Sequence, residues 1–211
     1  MSKEWKGNKK SVSTMLGIST TWHPEERAAG DYYTTDPTAV EQFVNHYHNH
    51  IGDFTGIIDK IWEPACGCGN ISTILKSASY DVISTDLHDR GYGKSGIDFL
   101  TAELPTDVTT IITNPPYALA DDFVKHAMDI LPNYGRYFAL MNLSYLAGQK
   151  RFKEIYNNGY LHAIHVYTHR INCYKNNEKT GHSSPINYAW FEYLKISHQI
   201  NTHFQPLIYW I

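Results

Sequence analysis

The sequence predicts a single α/β domain built around a largely parallel sheet. Short apolar runs alternate with stretches of helical periodicity, which is typical of strand–helix–strand units. The 211 residues suffice for one domain with a substantial core. No internal repeat, low-complexity tract or inter-domain linker divides the chain.

Hydrophobic periodicity predicts the elements in order. Residues 1–30 lack it and are expected to form an N-terminal arm, ahead of a folded domain over residues 31–211. The first helix follows Pro37, where one helical face is apolar: Val40, Phe43, Val44, Tyr47 and Ile51. Strands are predicted over residues 57–62, 80–85, 108–113, 136–141, 161–167 and 187–196, and further helices over 71–78, 122–131 and 150–157. No long helix separates the last two strands, which predicts an antiparallel pair at one edge.

Composition argues against several classes of protein. Mean hydropathy is −0.41, and no run approaches the ~18 apolar residues of a membrane span. The polar, lysine-rich N-terminus does not resemble a secretory signal. Three cysteines cannot form a disulfide framework, so a cytoplasmic location is expected. A net charge of −3 disfavours coating of nucleic acid through bulk charge, but it allows an enzyme with a local basic cleft.

A glycine-containing loop follows the first predicted strand. It reads Glu63-Pro64-Ala65-Cys66-Gly67-Cys68-Gly69-Asn70 and precedes a predicted helix. Glycines let a backbone turn tightly and approach a ligand closely, and Asn70 is expected to cap the helix. The helix amides would then face the bound group. Any tight strand–helix turn could use such glycines, so it is the placement after the first strand that favours a binding loop.

Two patterns invite a metal hypothesis. The Cys66–Cys68 spacing is too short for a zinc knuckle and no second pair follows, so loop packing is favoured. His46 and His50 share a helix face, but a solvated helix surface is favoured for them as well. No metal site is expected.

Acidic residues follow the glycine loop at two positions along the chain. Asp86 follows the second predicted strand, where a carboxylate can accept hydrogen bonds from both ribose hydroxyls of a nucleoside cofactor. A capping or turn role is the alternative. Further on, Asp98 could accept an exocyclic amino hydrogen, and Phe99 could cover a purine ring.

The tetrapeptide Asn114-Pro115-Pro116-Tyr117 is the most specific signal. It follows the predicted strand 108–113, at the sheet edge where open parallel sheets bind ligands. The prolines stiffen the loop, so that the Asn114 amide oxygen and a backbone carbonyl converge. Two such acceptors match the two hydrogens of an amino group, and Tyr117 offers a stacking face. A proline-rich turn or polyproline ligand is the alternative.

Taken together, these segments resemble the class I S-adenosylmethionine-dependent methyltransferases that modify exocyclic amino nitrogens. The resemblance covers roughly residues 31–196 and rests on EPACGCGN, STDLHD, GIDF and TNPPY in that order. The NPPY form is typical of adenine-N6 DNA methyltransferases. The segment YYTTDP at residues 32–37 resembles their cofactor-closing motif, with Asp36 inserted between Thr35 and Pro37. Residues 136–151 and 184–190 are similar to segments of small phage-type members.

This resemblance implies a Rossmann-like methyltransferase fold, with a mostly parallel seven-stranded sheet, an antiparallel edge strand and helices on both faces. The cofactor is expected to be S-adenosylmethionine. Its implied contacts are Tyr33, Thr35, Pro37, Glu63, Ala65, Gly67, Gly69, Asp86, Leu87, Asp98, Phe99 and Asn114. The implied catalytic residues are Asn114, Pro115, Pro116 and Tyr117, which would hold an adenine rotated out of its helix.

Basic residues in the C-terminal half are candidate nucleic-acid contacts: Lys150, Arg151, Arg170, Lys175 and Lys179. The expected substrate is double-stranded DNA. A chain of this length has no room for a separate recognition domain, so specificity is short or depends on a homodimer or partner. The alternative functions are methylation of RNA adenine or guanine, methylation of a protein glutamine, and non-catalytic nucleotide binding on the same fold.

Overall fold

The computed structural model describes residues 33–52, 60–175, 186–196 and 205–211. The expected N-terminal arm lies outside these ranges. The elements are β1 (Tyr33–Thr35), α1 (Pro37–His50), β2 (Lys60–Glu63), α2 (Asn70–Ser77), β3 (Asp81–Ser84), β4 (Thr110–Thr113), α3 (Ala120–Ile130), β5 (Arg136–Asn142), α4 (Gln149–Glu154), β6 (Leu161–Val166), β7 (Cys173–Lys175), β8 (Tyr188–Leu194) and β9 (Leu207–Trp210). Short 3-10 turns cover Tyr117–Leu119, Leu143–Leu146 and Tyr156–Asn158.

Each predicted helix and strand falls on one of these elements, with ends that differ by a few residues. Positions 57–59 of the first predicted strand lie outside the described residues. The prediction missed β1, β7 and β9, which are three or four residues long. Length alone does not explain this, because the predicted strands β2, β3 and β4 are also four residues long. β1 and β7 form a separate two-stranded sheet, and β9 is largely exposed, so none of the three is a buried strand of the main sheet.

The main sheet has seven strands in the order β3-β2-β4-β5-β8-β6-β9. Neighbouring strands are parallel except at β8, which is antiparallel to both β5 and β6. The mostly parallel seven-stranded fold is therefore confirmed. The predicted antiparallel pair of the last two strands is observed as β6–β8. Its position differs from the prediction, because β8 has a strand on either side and the edge next to this pair is β9, which is parallel to β6.

A hydrophobic core lies on each face of this sheet. Because successive strand residues point to opposite faces, Phe138 and Leu140 of β5 pack with α1 and α2, whereas Tyr137, Ala139 and Met141 pack with α3. The predicted helices on both faces are thus observed. Among the described residues, no helix combines the length and hydropathy needed to cross a membrane.

The first two helices begin differently. At α1 the Asp36 carboxylate accepts a hydrogen bond from the Thr38 amide at 3.0 Å, and Pro37 occupies the first turn. At α2 the capping position is Gly69, with no side-chain cap. The expectation that Asn70 caps α2 is therefore wrong. Its Nδ2 donates instead to the Thr35 carbonyl at 2.7 Å, which fastens β1 to the start of α2.

Candidate active site

Three loops meet where the parallel strands β2, β3 and β4 end. They are the glycine loop after β2, the segment 85–99 after β3 and the NPPY loop after β4. The Gly67 amide donates to the Asp86 carboxylate at 2.8 Å, so the first two loops touch directly. This edge is where open α/β sheets bind ligands.

The glycine loop depends on both of its glycines. Gly67 and Gly69 have φ of 55° and 85°, in the left-handed region that favours glycine. A Cβ atom on Gly69 would lie 2.5 Å from the Tyr92 ring. The Lys76 ammonium donates to the Tyr92 hydroxyl at 3.1 Å, which holds that ring over the loop. The close neighbour of Gly69 in the structure is therefore the ring of Tyr92.

Asp86 lies at this edge, with 7% of its surface exposed. One carboxylate oxygen accepts from the Gly67 amide and the other from the His88 amide, both at 2.8 Å. Each oxygen keeps a second lone pair, so the group can also accept hydroxyl donors. The next residue, Leu87, is half exposed.

Glu63 ends β2 beneath the glycine loop and is 1% exposed. Burial raises the pKa of Glu63 to about 8, although a hydrogen bond from the Ser72 hydroxyl opposes this shift. Ser72 lies 2.6 Å from the Ser84 hydroxyl as well. Glu63 is therefore largely protonated at neutral pH.

Asn114 directly follows β4 and joins it to β1. Its Nδ2 donates to the Tyr33 carbonyl at 3.1 Å and to the Thr35 hydroxyl at 3.2 Å. Its Oδ1 is buried and has no hydrogen-bond partner among the described residues. A buried amide oxygen without a partner is costly, and a donor that arrives with a ligand would offset that cost.

Tyr117 lies between two other tyrosines. Its ring centroid is 5.5 Å from that of Tyr33 and 6.3 Å from that of Tyr188, and burial raises its pKa well above the ordinary value. Sequence reasoning did not select Tyr188 as a site residue. Because β8 runs antiparallel, its first residue lies opposite Asn142 at the site edge. Only the strand direction reveals this placement.

Other expected cofactor contacts differ in burial. Phe99 is 2% exposed and packs in the core, 5.2 Å from Trp62 and 4.7 Å from Phe123 by ring centroids. Asp98 is exposed, and its Oδ1 accepts from the Leu100 amide at 3.0 Å. Pro37 is exposed on α1, and Ala65 is half buried against the core. The contacts of these residues with a cofactor stay predictions.

The candidate nucleic-acid contacts are not equally placed. Lys150 exposes 80% of its side chain and Arg170 is also exposed. Arg151 is 24% exposed and turns inward, where its Nε donates to Asp121 at 2.8 Å. Lys175 pairs through its backbone with Tyr33 in the small β1–β7 sheet. Lys179 lies outside the described residues.

Among the described residues, no three His, Cys, Asp or Glu side chains are grouped so that they could hold a metal ion. Burial raises the pKa of Cys66 to about 12, so this thiol is protonated and unsuited to act as a nucleophile.

Comparison with models of protein families gives no match, and neither does comparison with curated sequences. Solved structures do match. A candidate class I S-adenosylmethionine-dependent methyltransferase from Listeria monocytogenes aligns with a TM-score of 0.61 at 14% identity, over 96% of this chain and 71% of that one.

Two further structures differ in what their names say they act on. A candidate RNA methyltransferase from Pyrococcus horikoshii aligns with a TM-score of 0.56 at 17% identity, over 89% of this chain and 98% of that one. A type I restriction-modification methyltransferase subunit from Streptococcus thermophilus gives 0.54 at 14% identity, over 86% and 47%. This chain thus spans less than half of the restriction-modification subunit. At such identities the likeness establishes the methyltransferase fold.

Proposed function

We propose that this protein transfers a methyl group from S-adenosylmethionine to the N6 amino group of adenine in DNA. The observation that carries the proposal is the buried, unpartnered Oδ1 of Asn114 beside Pro115, at the carboxyl end of β4. An amino group supplies the hydrogen that this oxygen lacks. The fold shared with methyltransferases and the order of the sequence motifs support the same conclusion.

The residues at the edge of the sheet fit the cofactor. Asp86 keeps lone pairs for ribose hydroxyls, and Gly67 holds it in place through a backbone amide. Glu63 lies beneath, and Thr35 and Asn114 close the opposite side. S-adenosylmethionine supplies a methyl group on a sulfonium centre that is already activated. The protein therefore needs no covalent nucleophile, in agreement with the protonated Cys66.

The chain's own groups then position the base. Asn114 Oδ1 and the Pro115 carbonyl accept the two amino hydrogens, which frees the nitrogen lone pair to attack the methyl carbon. The nitrogen–carbon bond would form as the carbon–sulfur bond of the sulfonium breaks, and the nitrogen would then release one proton to solvent. The Nδ2 bonds to β1 prevent the Asn114 amide from rotating, so its oxygen is held in advance of binding. Tyr117, between Tyr33 and Tyr188, offers an aromatic surface to a base that has left the helix.

DNA is favoured over RNA because the NPPY form is typical of DNA adenine enzymes and a restriction-modification subunit shares the fold. An RNA methyltransferase shares it too, so RNA is the second candidate substrate. The DNA would contact exposed cations that include Lys150 and Arg170.

The test is transfer of tritiated methyl from S-adenosylmethionine to duplex DNA, to the same duplex with hypoxanthine in place of adenine, and to RNA of matching sequence. We expect incorporation only into adenine-containing DNA. Mapping of N6-methyladenine in DNA from an expressing host would identify the target sequence. Transfer to RNA alone, or cofactor binding without any transfer, would overturn the proposal.

The Asn114→Ala variant tests the role of the unpartnered Asn114 oxygen. Loss of an interaction made fully only in the transition state should lower kcat by about 10²–10³, with cofactor affinity within a few-fold of wild type. The matched control is Asn45→Ala, an exposed asparagine on α1, which should behave as wild type. Near-normal turnover of Asn114→Ala would contradict the mechanism.

A further inference from the structure

Arg151 uses its guanidinium to hold other parts of the chain together. Its Nε donates to Asp121 at 2.8 Å, and its Nη1 donates to the carbonyls of Tyr145 and Ala147 at 2.8 and 2.9 Å. The guanidinium carbon lies 3.8 Å from the centroid of the Tyr145 ring, a cation–π contact. The Tyr145 hydroxyl donates to the same Asp121 oxygen. We call Asp121, Tyr145 and Arg151 the brace.

The brace joins two loops that leave neighbouring strands. Asp121 is in the first turn of α3, immediately after the Tyr117–Leu119 turn that ends the NPPY loop. Tyr145 is in the turn that follows β5, and β5 pairs with β4. The brace therefore ties the segment that carries Tyr117 to the adjacent loop at the same sheet edge.

The core supports the brace from below. The Tyr145 ring packs edge-on against buried Phe191, 5.7 Å away, and the Tyr156 hydroxyl donates to the Tyr145 carbonyl at 2.8 Å. Burial opposes ionisation of Asp121, but hydrogen bonds from Tyr145 and Arg151 lower its pKa below the ordinary value. Asp121 is thus ionised and paired at neutral pH.

We propose that Arg151 is a positioning residue for methyl transfer: through Asp121 it fixes Tyr117 and the NPPY loop, and it does not contact the nucleic-acid backbone. The inference rests on the proposed function. It separates Arg151 from its neighbour Lys150, which lies 3.9 Å from Glu154 and remains open to a phosphate. Lys150 and Arg151, which are adjacent in α4, therefore have different roles.

The experiment compares Arg151→Ala, Arg151→Lys and Asp121→Asn with Lys60→Ala. Lys60 is the control because it removes one positive charge at the opposite end of the sheet, where it pairs with Asp81. For each variant we would measure kcat, KM for duplex DNA, the salt dependence of DNA binding, and hydrogen–deuterium exchange over residues 143–147. Exchange requires no methyl transfer, so it reports on the brace independently of activity.

We expect kcat of Arg151→Ala to fall about 10- to 100-fold, with KM and the salt slope unchanged. The amides of Ser144 and Ala147, which bond within this turn, should exchange at least about tenfold faster. Arg151→Lys should not restore kcat, because an ammonium cannot reproduce the forked contacts. The double variant Arg151→Ala/Asp121→Asn should lose no more kcat than the more impaired of the two single variants, because the two residues act together.

Rescue by lysine together with a salt slope lowered by about 0.9 in Arg151→Ala would overturn the proposal and make Arg151 a phosphate contact. Unchanged exchange, or unchanged kcat in an active enzyme, would overturn it as well. A wild-type protein that transfers no methyl group would reject the proposed function, and with it the link between the brace and catalysis, even if exchange responded.

Discussion

Asn114 uses only the nitrogen of its side-chain amide within the described part of the fold. The nitrogen donates to the Tyr33 carbonyl and the Thr35 hydroxyl of β1, whereas the buried oxygen is still able to accept a hydrogen bond. Asp86 differs, because both its oxygens already accept backbone amides and a ligand would add to those bonds. The first side chain is thus suited to an interaction formed during reaction, and the second to binding.

We therefore expect Asp86→Ala to weaken S-adenosylmethionine binding by about 2–4 kcal/mol, since two hydrogen bonds to a charged acceptor are lost. These bonds are remote from the transferred methyl, so kcat at saturating cofactor should change little. Titration calorimetry measures the affinity. Asp89→Ala, which removes an exposed carboxylate from the same loop, is the control. Unchanged affinity in Asp86→Ala would remove Asp86 from the site.

Glu63 should make stability depend on pH. Its folded pKa of about 8 lies above the ordinary value of 4.5, so between these pH values the folded state holds the extra proton. The stability that this proton contributes is complete below pH 4.5 and is lost as pH rises to about 8. Relative to wild type, Glu63→Gln should gain up to about 1.4 kcal/mol per pH unit across this window.

Urea unfolding of Glu63→Gln and wild type at several pH values between 5 and 8 would measure this difference. Exposed Glu41→Gln is the control and should show a constant difference. A constant difference for Glu63→Gln would mean that its carboxyl is ionised in the folded protein.

At the scale of elements, the site depends on short segments that meet from distant parts of the chain. β1 pairs antiparallel with β7, from Tyr33 opposite Lys175 to Thr35 opposite Cys173. Asn70 and Asn114 then fasten β1 to α2 and to the end of β4. The glycine loop is fixed in a similar way, by the Tyr92 ring that lies over Gly69.

We predict that Gly69→Ala destabilises the fold more than Gly91→Ala. Both glycines have positive φ, 85° and 79°, so both substitutions add backbone strain of about 1 kcal/mol or more. A Cβ at Gly91 meets nothing within 4 Å, whereas at Gly69 it meets the Tyr92 ring. Denaturant unfolding should show that Tyr92→Ala removes the excess cost. Equal costs at the two glycines would contradict the packing of Tyr92.

For the whole molecule, charge is the informative property. The net charge is −3, so attraction of a polyanion must come from a local surface. The segment from His169 to His182 is the expected surface. Its described part includes exposed Arg170 and enters β7, which pairs with β1 beside Asn114.

We predict that Arg170→Ala/Lys175→Ala/Lys179→Ala binds duplex DNA more weakly, because phosphate contacts are lost. The slope of log affinity against log salt should fall by up to ~0.9 for each lost contact, with S-adenosylmethionine affinity unchanged. Filter binding over a range of salt concentrations measures the slope, with Lys60→Ala as the charge control. An unaltered slope would make the lysines of residues 1–30 the leading candidates.

The order of the main helices and strands could be predicted from the sequence, because apolar runs alternate along it with stretches of helical periodicity. The sequence also identified the glycine loop, Asp86 and NPPY, since loops that end parallel strands must meet at one edge of the sheet. Contacts between distant segments leave no periodic pattern in the local sequence. Five features could therefore be seen only once the chain was folded: the direction and neighbours of β8, the β1–β7 pair, Tyr188 beside Tyr117, buried Phe99 and inward Arg151.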